Sequence, residues 1–189
     1  NFLIDAYIKL NPFYSDGKIV IKNKRLETII DYILVYLFIY NSEFLGNLSS
    51  NFKIKLEDIN NKLINSGEIN FEINQKKINV NDSFFNLDKI GNIKTKISFV
   101  EKEGDIIFKS KNILYVKNHI EFSRILQIGS SKTKNIKKIY FDLEKKIGET
   151  DFIVTNIRIN KKDNKINSNE TYIVKNIQNL RSHIREIID

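Results

Sequence analysis

The sequence predicts an α+β protein: antiparallel β-hairpins packed with an apolar helix near the N-terminus and an amphipathic helix at the C-terminus. Three observations carry this expectation. The run "RLETIIDYILVYLFIYN", Arg25 to Asn41, is the most apolar stretch in the chain. The middle of the chain alternates apolar and polar residues with period two, and turn residues separate the runs. The C-terminal segment places Ile173, Ile177, Leu180, Ile184 and Ile187 at spacings of four, three, four and three, a narrow apolar seam on a helix. With one proline and seven glycines in 189 residues, flexible linkers of the usual kind are absent. A single domain over 1–189 is expected, with any sub-boundary near 45–52 or 129–135.

Along the chain, Phe2–Leu10 reads as a short helix stopped at Pro12. Asp16-Gly17 reads as a turn and Lys18–Lys22 as a short strand. The apolar run follows. Its unbroken part, Tyr32–Tyr40, is too short for a membrane crossing, which needs about 20 apolar residues. Charged and polar residues flank it, so no transmembrane segment is expected. As a helix it sets Leu26, Ile30, Leu34 and Leu37 on one broad face, with Tyr32, Val35, Tyr36 and Ile39 on the other. A helix apolar nearly all round is buried on more than one side, in its own core or against a neighbouring subunit. Its β-branched residues also admit a strand near Leu34–Tyr40.

Residues 55–67, "KLEDINNKLINSG", read as a short amphipathic helix with Leu56, Ile59 and Leu63 inward and Gly67 as its stop. Ile69, Phe71 and Ile73 then share a face of one hairpin arm, Ile78 and Val80 a face of the next, around Gln75-Lys76. Ile93, Thr95, Ile97 and Phe99 repeat the theme, with a turn near Glu103-Gly104 and a strand at "NILYVKN". Residues 119–131 and 135–147 admit either helix or strand. A strand after Thr150 enters a turn at Lys162-Asp163-Asn164, and residues 169–189 form the C-terminal helix.

The chemistry of the chain is mostly exclusion. Without cysteine there are no disulfides, thiolate metal sites or cysteine nucleophiles. The two histidines, His119 and His183, have no nucleophile in a recognisable setting and read as surface or packing residues. "IGSSKTKN" ends like a phosphate-binding loop but lacks the first glycine, and Ser131 precedes Lys132. Glu101, Glu103 and Asp105 crowd a hairpin tip, where carboxylates solvate a turn. Asp105 with Glu144 and Lys146 matches the Asp…Glu-x-Lys order of metal-dependent nucleases, a pattern that a lysine-rich chain also produces by chance. No catalysis, cofactor or metal is expected.

The formal charge is +8, and residues 131–189 hold thirteen basic against eight acidic residues. Only five of the 31 basic residues are arginine, the better side chain for bidentate phosphate contacts. The abundance of Ile, Asn and Lys points to a very AT-rich genome. Even so, Lys132, Lys134, Lys137, Lys138, Lys145 and Lys146 interleave with Tyr140 and Phe141, a composition suited to holding a single-stranded nucleic acid. The N-terminus lacks a basic region and a small-residue cleavage site, so no signal peptide is read there.

Residues 15–48, "SDGKIVIKNKRLETIIDYILVYLFIYNSEFLGNL", run from an Asp-Gly turn through a strand and an apolar helix to a polar-aromatic loop with Glu43-Phe44. This order resembles the start of the small wedge-type baseplate proteins of contractile phage tails and related injection machines. Asn41-Ser42-Glu43-Phe44 stands where that family has a Gly-Glu-Trp-like loop, without the glycine or the tryptophan. The resemblance implies a non-enzymatic subunit that works by binding neighbours. The leading expectation is therefore an assembly subunit, cytoplasmic or particle-associated, contacting other copies or other chains through Leu26, Ile30, Leu34, Leu37, Ile177, Leu180 and Ile184. The alternative is a nucleic-acid-binding protein using the lysines of 131–165. A metal-dependent nuclease comes third.

Overall fold

The computed structural model describes residues 2–10, 13–24, 49–61, 63–74, 77–103, 105–149, 151–160, 172–175 and 177–188. The apolar segment with Leu26, Ile30, Leu34 and Leu37 lies outside them, as does the turn expected at 162–164. The chain divides into two compact units, Asn1–Leu87 and Asp88–Asp189.

The first unit is a sheet of five strands in sequence order: β1 Phe2–Leu10, β2 Phe13–Lys22, β3 Ser49–Glu57, β4 Ser66–Asn74 and β5 Lys77–Leu87. All neighbours are antiparallel except β2 and β3, which run parallel and are joined through residues 23–48. Period-two alternation sorts the side chains. Ile21, Ile54, Leu56, Ile69, Phe71, Ile73 and Val80 are buried, and Leu56, Ile73 and Val80 are each only 1% exposed. The opposite face is polar. There Lys22 and Lys55 each reach Glu57 at 2.6 Å, and Lys53 reaches Glu68 at 3.1 Å. Hydrogen bonds from Lys22 and Lys55 hold the Glu57 carboxyl at about 2, against an ordinary 4.5. Because the folded value is depressed, this stabilisation is complete above pH 4.5 and is lost as pH falls toward 2. Glu57→Gln should therefore flatten that part of the acid-unfolding profile followed by circular dichroism. An unchanged profile would show that the lysines do not act on Glu57.

The second unit has another five strands: β6 Gly91–Lys102, β7 Asp105–Val116, β8 Lys138–Lys146, β9 Phe152–Ile159 and the short β10 Tyr172–Val174. All of its described pairings, from β6–β7 to β9–β10, are antiparallel. Three short helices complete it: α1 His119–Leu126, α2 Ser130–Thr133 and α3 Ile177–Ile188. Phe122, Leu126, Ile136, Ile139, Val154, Ile157 and Val174 are buried. Arg185 of α3 donates to the Leu126 carbonyl and, at 2.8 Å, to the Gln127 side chain, closing the C-terminal end of α1.

The α+β expectation fails. Strand dominates both units, and the described helices are short and confined to the second. Phe2–Leu10 is strand β1 and not a helix. It pairs along its whole length with β2, and this hairpin ladder outweighs weak helix propensity. Residues 55–67 are the end of β3, a turn and the start of β4. Asp58 is left-handed at φ 53°, and the Asn61 side chain accepts from the backbone N–H groups of Leu63 and Ile64. Asp and Asn chemistry of this kind builds turns in competition with helix. Gly67 lies in β4, where a Cβ would meet Phe85 Cδ1 at 2.7 Å. The C-terminal helix exists but begins at Ile177, whereas Ile173 lies in β10. The hairpins at 66–87 and 91–116 form as expected.

Candidate lysine pocket

The first unit is electrically neutral: residues 1–87 hold ten basic and ten acidic side chains. Residues 88–189 hold twenty-one and thirteen, so the whole +8 belongs to the second unit. Part of that charge converges on one cavity of about 710 Å³. Lys94 of β6, Lys117 after β7, Lys134 after α2, Lys137 just before β8 and Lys138 of β8 line it, together with Asn92, Tyr115 and His119. No carboxylate is among the lining residues. Among the described residues none of the five lysines is ion-paired, unlike Lys22, Lys53, Lys55, Lys109 and Lys146. Such a volume falls within the size of small-ligand sites, roughly 300–1,000 Å³.

Local chemistry fixes the walls. Asn118 caps α1, its side chain accepting from Ile120 N at 3.1 Å and Glu121 N at 3.2 Å, and this places His119 at the rim. Thr133 is fully buried and donates to the His119 carbonyl at 3.0 Å. Lys117 N and Asn118 N both donate to the Ile90 carbonyl. Asn160, left-handed at φ 61°, holds the far wall. Its Oδ1 accepts from Lys137 N at 2.7 Å and Lys138 N at 3.2 Å, and its Nδ2 donates to the Asn135 carbonyl at 2.6 Å. The Nδ1 of His119 is buried and, among the described residues, has no hydrogen-bond partner.

Beyond the pocket the same sheet face is mixed in charge, with Asp142 and Glu144 of β8 opposite Lys111 and Lys109 of β7. Lys96 of β6 lies directly opposite Lys111 of β7, and Lys111 in turn lies opposite Asp142 of β8, whose carboxylate offsets the like-charge pairing. Lys138 stands 5.2 Å from the Tyr115 ring centre, and Arg158 stands 5.7 Å from that of Tyr140.

The structure therefore regroups the expected lysines. Lys134, Lys137 and Lys138 come together. Lys132 lies exposed on α2 and does not line the cavity. Lys145 alternates onto the other face of β8, with its Nζ 4.6 Å from the Phe152 ring. Lys146 is engaged by Asp105 at 2.7 Å and Glu149 at 3.8 Å, and the Asp105 hydrogen bond raises its pKa. Glu144 pairs with Lys109 at 3.0 Å. Asp105 and Glu144 of the nuclease pattern are thus each occupied by a lysine. Among the described residues no group of three or more His, Asp or Glu could hold a metal ion. Lys94 and Lys117 escaped the sequence reading because they are distant in sequence; the alternation of Lys94 and Lys96 against Ile93, Thr95 and Ile97 was the available signal.

Of the expected interface residues, Ile184 is half-buried on α3, an element that contacts β10 and α1 of its own unit. Ile177 and Leu180 lie on the same helix, but their side chains are not among those described. No helix among the described residues is long and apolar enough to cross a membrane. No family model matches the chain, and neither a curated protein nor a solved structure matches it.

Proposed function

We propose that this chain is a non-enzymatic binding protein whose second unit holds the phosphate groups of a single-stranded nucleic acid. The observation that carries this reading is the convergence of Lys94, Lys117, Lys134, Lys137 and Lys138 on one cavity lined by no carboxylate. Tyr115 and Tyr140 on the adjoining face offer rings on which bases stack without sequence preference. The test is fluorescence anisotropy with a labelled single-stranded oligonucleotide across a salt series. Five lysines on phosphates give a log–log salt slope of about −3.5, so affinity falls about 100-fold from roughly 50 to 200 mM salt. Lys94→Glu should weaken binding as much as Lys137→Glu, although the two are far apart in sequence. Lys145→Glu, on the other face, should leave it unchanged. Indifference to salt, or equal effects of all three variants, would overturn the pocket as the site. Binding to anionic vesicles without binding to the oligonucleotide would move the ligand to a membrane surface.

A second reading, the assembly subunit that the wedge-type resemblance implies, is favoured by β1. Leu3, Ile4, Tyr7, Ile8 and Leu10 there are 59–79% exposed. Exposed apolar side chains on an edge strand, Ile4, Ile8 and Leu10 on one face and Leu3 and Tyr7 on the other, mark a protein contact.

A further inference from the structure

The apolar residues of β1 lie on both of its faces. Register with β2 puts Ile4, Ala6, Ile8 and Leu10 on one side and Leu3, Asp5, Tyr7 and Lys9 on the other. One edge of β1 is paired with β2, and no described strand occupies the opposite edge. Alternate backbone N–H and C=O groups therefore point outward along a strand of nine residues, a template for another strand. Native proteins blunt such an edge with prolines, bulges or charges; β1 has no proline and no bulge in its ladder with β2, and its two charges, Asp5 and Lys9, are of opposite sign.

We infer that the occupant of this edge is β1 of a second copy of the same chain, antiparallel and centred on Tyr7. The strand is self-complementary in that register. Asp5 of each copy then faces Lys9 of the other, so both charges on the strand are matched, twice, by symmetry. Ile4 faces Leu10 of the second copy, and Ala6 faces Ile8. Sliding the strand by two residues in either direction takes Asp5 away from Lys9 and leaves both charges opposite uncharged partners or none. Every outward-pointing backbone group meets one of its own kind of pair, because a two-fold register about Tyr7 joins residues of like parity. The inference gives the assembly reading one contact and uses none of the pocket residues, so oligonucleotide binding and self-association fail or succeed separately.

The experiment is solution mass by light scattering over a dilution series, starting from the unmodified chain. The expected mass at high concentration is twice 22.2 kDa. Asp5→Lys alone and Lys9→Asp alone each set like charges opposite one another in both symmetric pairs, and each should run as a monomer. Mixed together, the two variants restore opposite charges in both pairs and should form a heterodimer. Asp5 also faces Lys18 of β2 within the chain, so a variant that leaves the charges intact provides the independent reading. The chain has no cysteine, and Tyr7→Cys places two thiols across the symmetry axis. Oxidised Tyr7→Cys should become a covalent dimer, while Leu3→Cys, which does not meet itself in this register, should not. A monomer at every concentration would overturn the inference and turn the assembly reading toward a different chain. Equal cross-linking of Tyr7→Cys and Leu3→Cys would overturn the register and the pairing with it.

Discussion

Gly91→Ala should unfold the second unit or leave it barely stable. Gly91 opens β6 at φ 155°, and a Cβ there would stand 1.9 Å from the Tyr115 carbonyl oxygen and 3.1 Å from Lys117 N. The clashing atoms are backbone, so no side-chain rotation relieves them. Relief requires β6 and β7 to separate where Gly91 pairs with Val116 and Asn92 with Tyr115. The same movement pulls on the Ile90 carbonyl, which holds Lys117 N at 2.8 Å and Asn118 N at 3.1 Å. Overpacking against a yielding neighbour costs about 1–3 kcal/mol, and an unyielding backbone puts this substitution at or above the top of that range. Thermal denaturation followed by circular dichroism should show a large loss of the second unit's transition, with the first unit's retained. Oligonucleotide binding should disappear with it. A variant that melted like the parent would mean that the strands do not meet as closely as described.

Asn160→Ala should cost about 2.5–6.5 kcal/mol, from three lost hydrogen bonds at roughly 0.5–1.5 kcal/mol each and from an alanine held in the left-handed region at roughly 1–2 kcal/mol. Its larger consequence is for binding. Lys137 and Lys138 keep their positions at the cavity because their backbone N–H groups are anchored on one side-chain oxygen. Without that anchor their ammonium groups no longer converge with those of Lys94, Lys117 and Lys134. At a temperature where the variant remains folded, the salt slope for a single strand should become shallower by about 1.4, the share of two lysines. Asn160→Gly separates the two effects, because it keeps the left-handed backbone at little cost and removes only the hydrogen bonds. Equal stability of the Ala and Gly variants would remove the backbone part of the argument; an unchanged slope in both would remove the anchoring part.

The hairpins were legible because their strands bury one face. Ile69, Phe71 and Ile73 alternate with Glu68, Asn70 and Glu72, and the buried set matches the apolar set. Strand β1 was less legible. Its alternation over Ile4, Ala6, Ile8 and Leu10 against Asp5, Tyr7 and Lys9 is blurred by the apolar Leu3, and its strand character is set by pairing with β2, a partner beyond Pro12. Helix α1 has a readable start: Asn118 followed three residues later by Glu121 is the spacing of a capped helix. The lysine site was half legible. Residues 134–138 are clustered in sequence, but β8 sends Lys145 to one face and Lys138 and Lys146 to the other. Which lysines remain unpaired depends on neighbours such as Asp105 and Glu149 that only the register brings near.

The parallel pairing of β2 with β3 has a kinetic side. Strands β4 and β5 are joined by residues 75 and 76 alone, and β1 and β2 by residues 11 and 12, so both hairpins can close locally and fast. The parallel contact must instead wait for residues on either side of 23–48 to find one another, against the chain entropy of bringing together parts so distant in sequence. Refolding of the first unit should accordingly be limited by a search. The β3–β5 meander forms early and displays the unpaired edge of β3 until the β1–β2 hairpin arrives. For that interval two sheet edges in one chain compete for partners, and the chain's tendency to aggregate while refolding should track the lifetime of the open β3 edge.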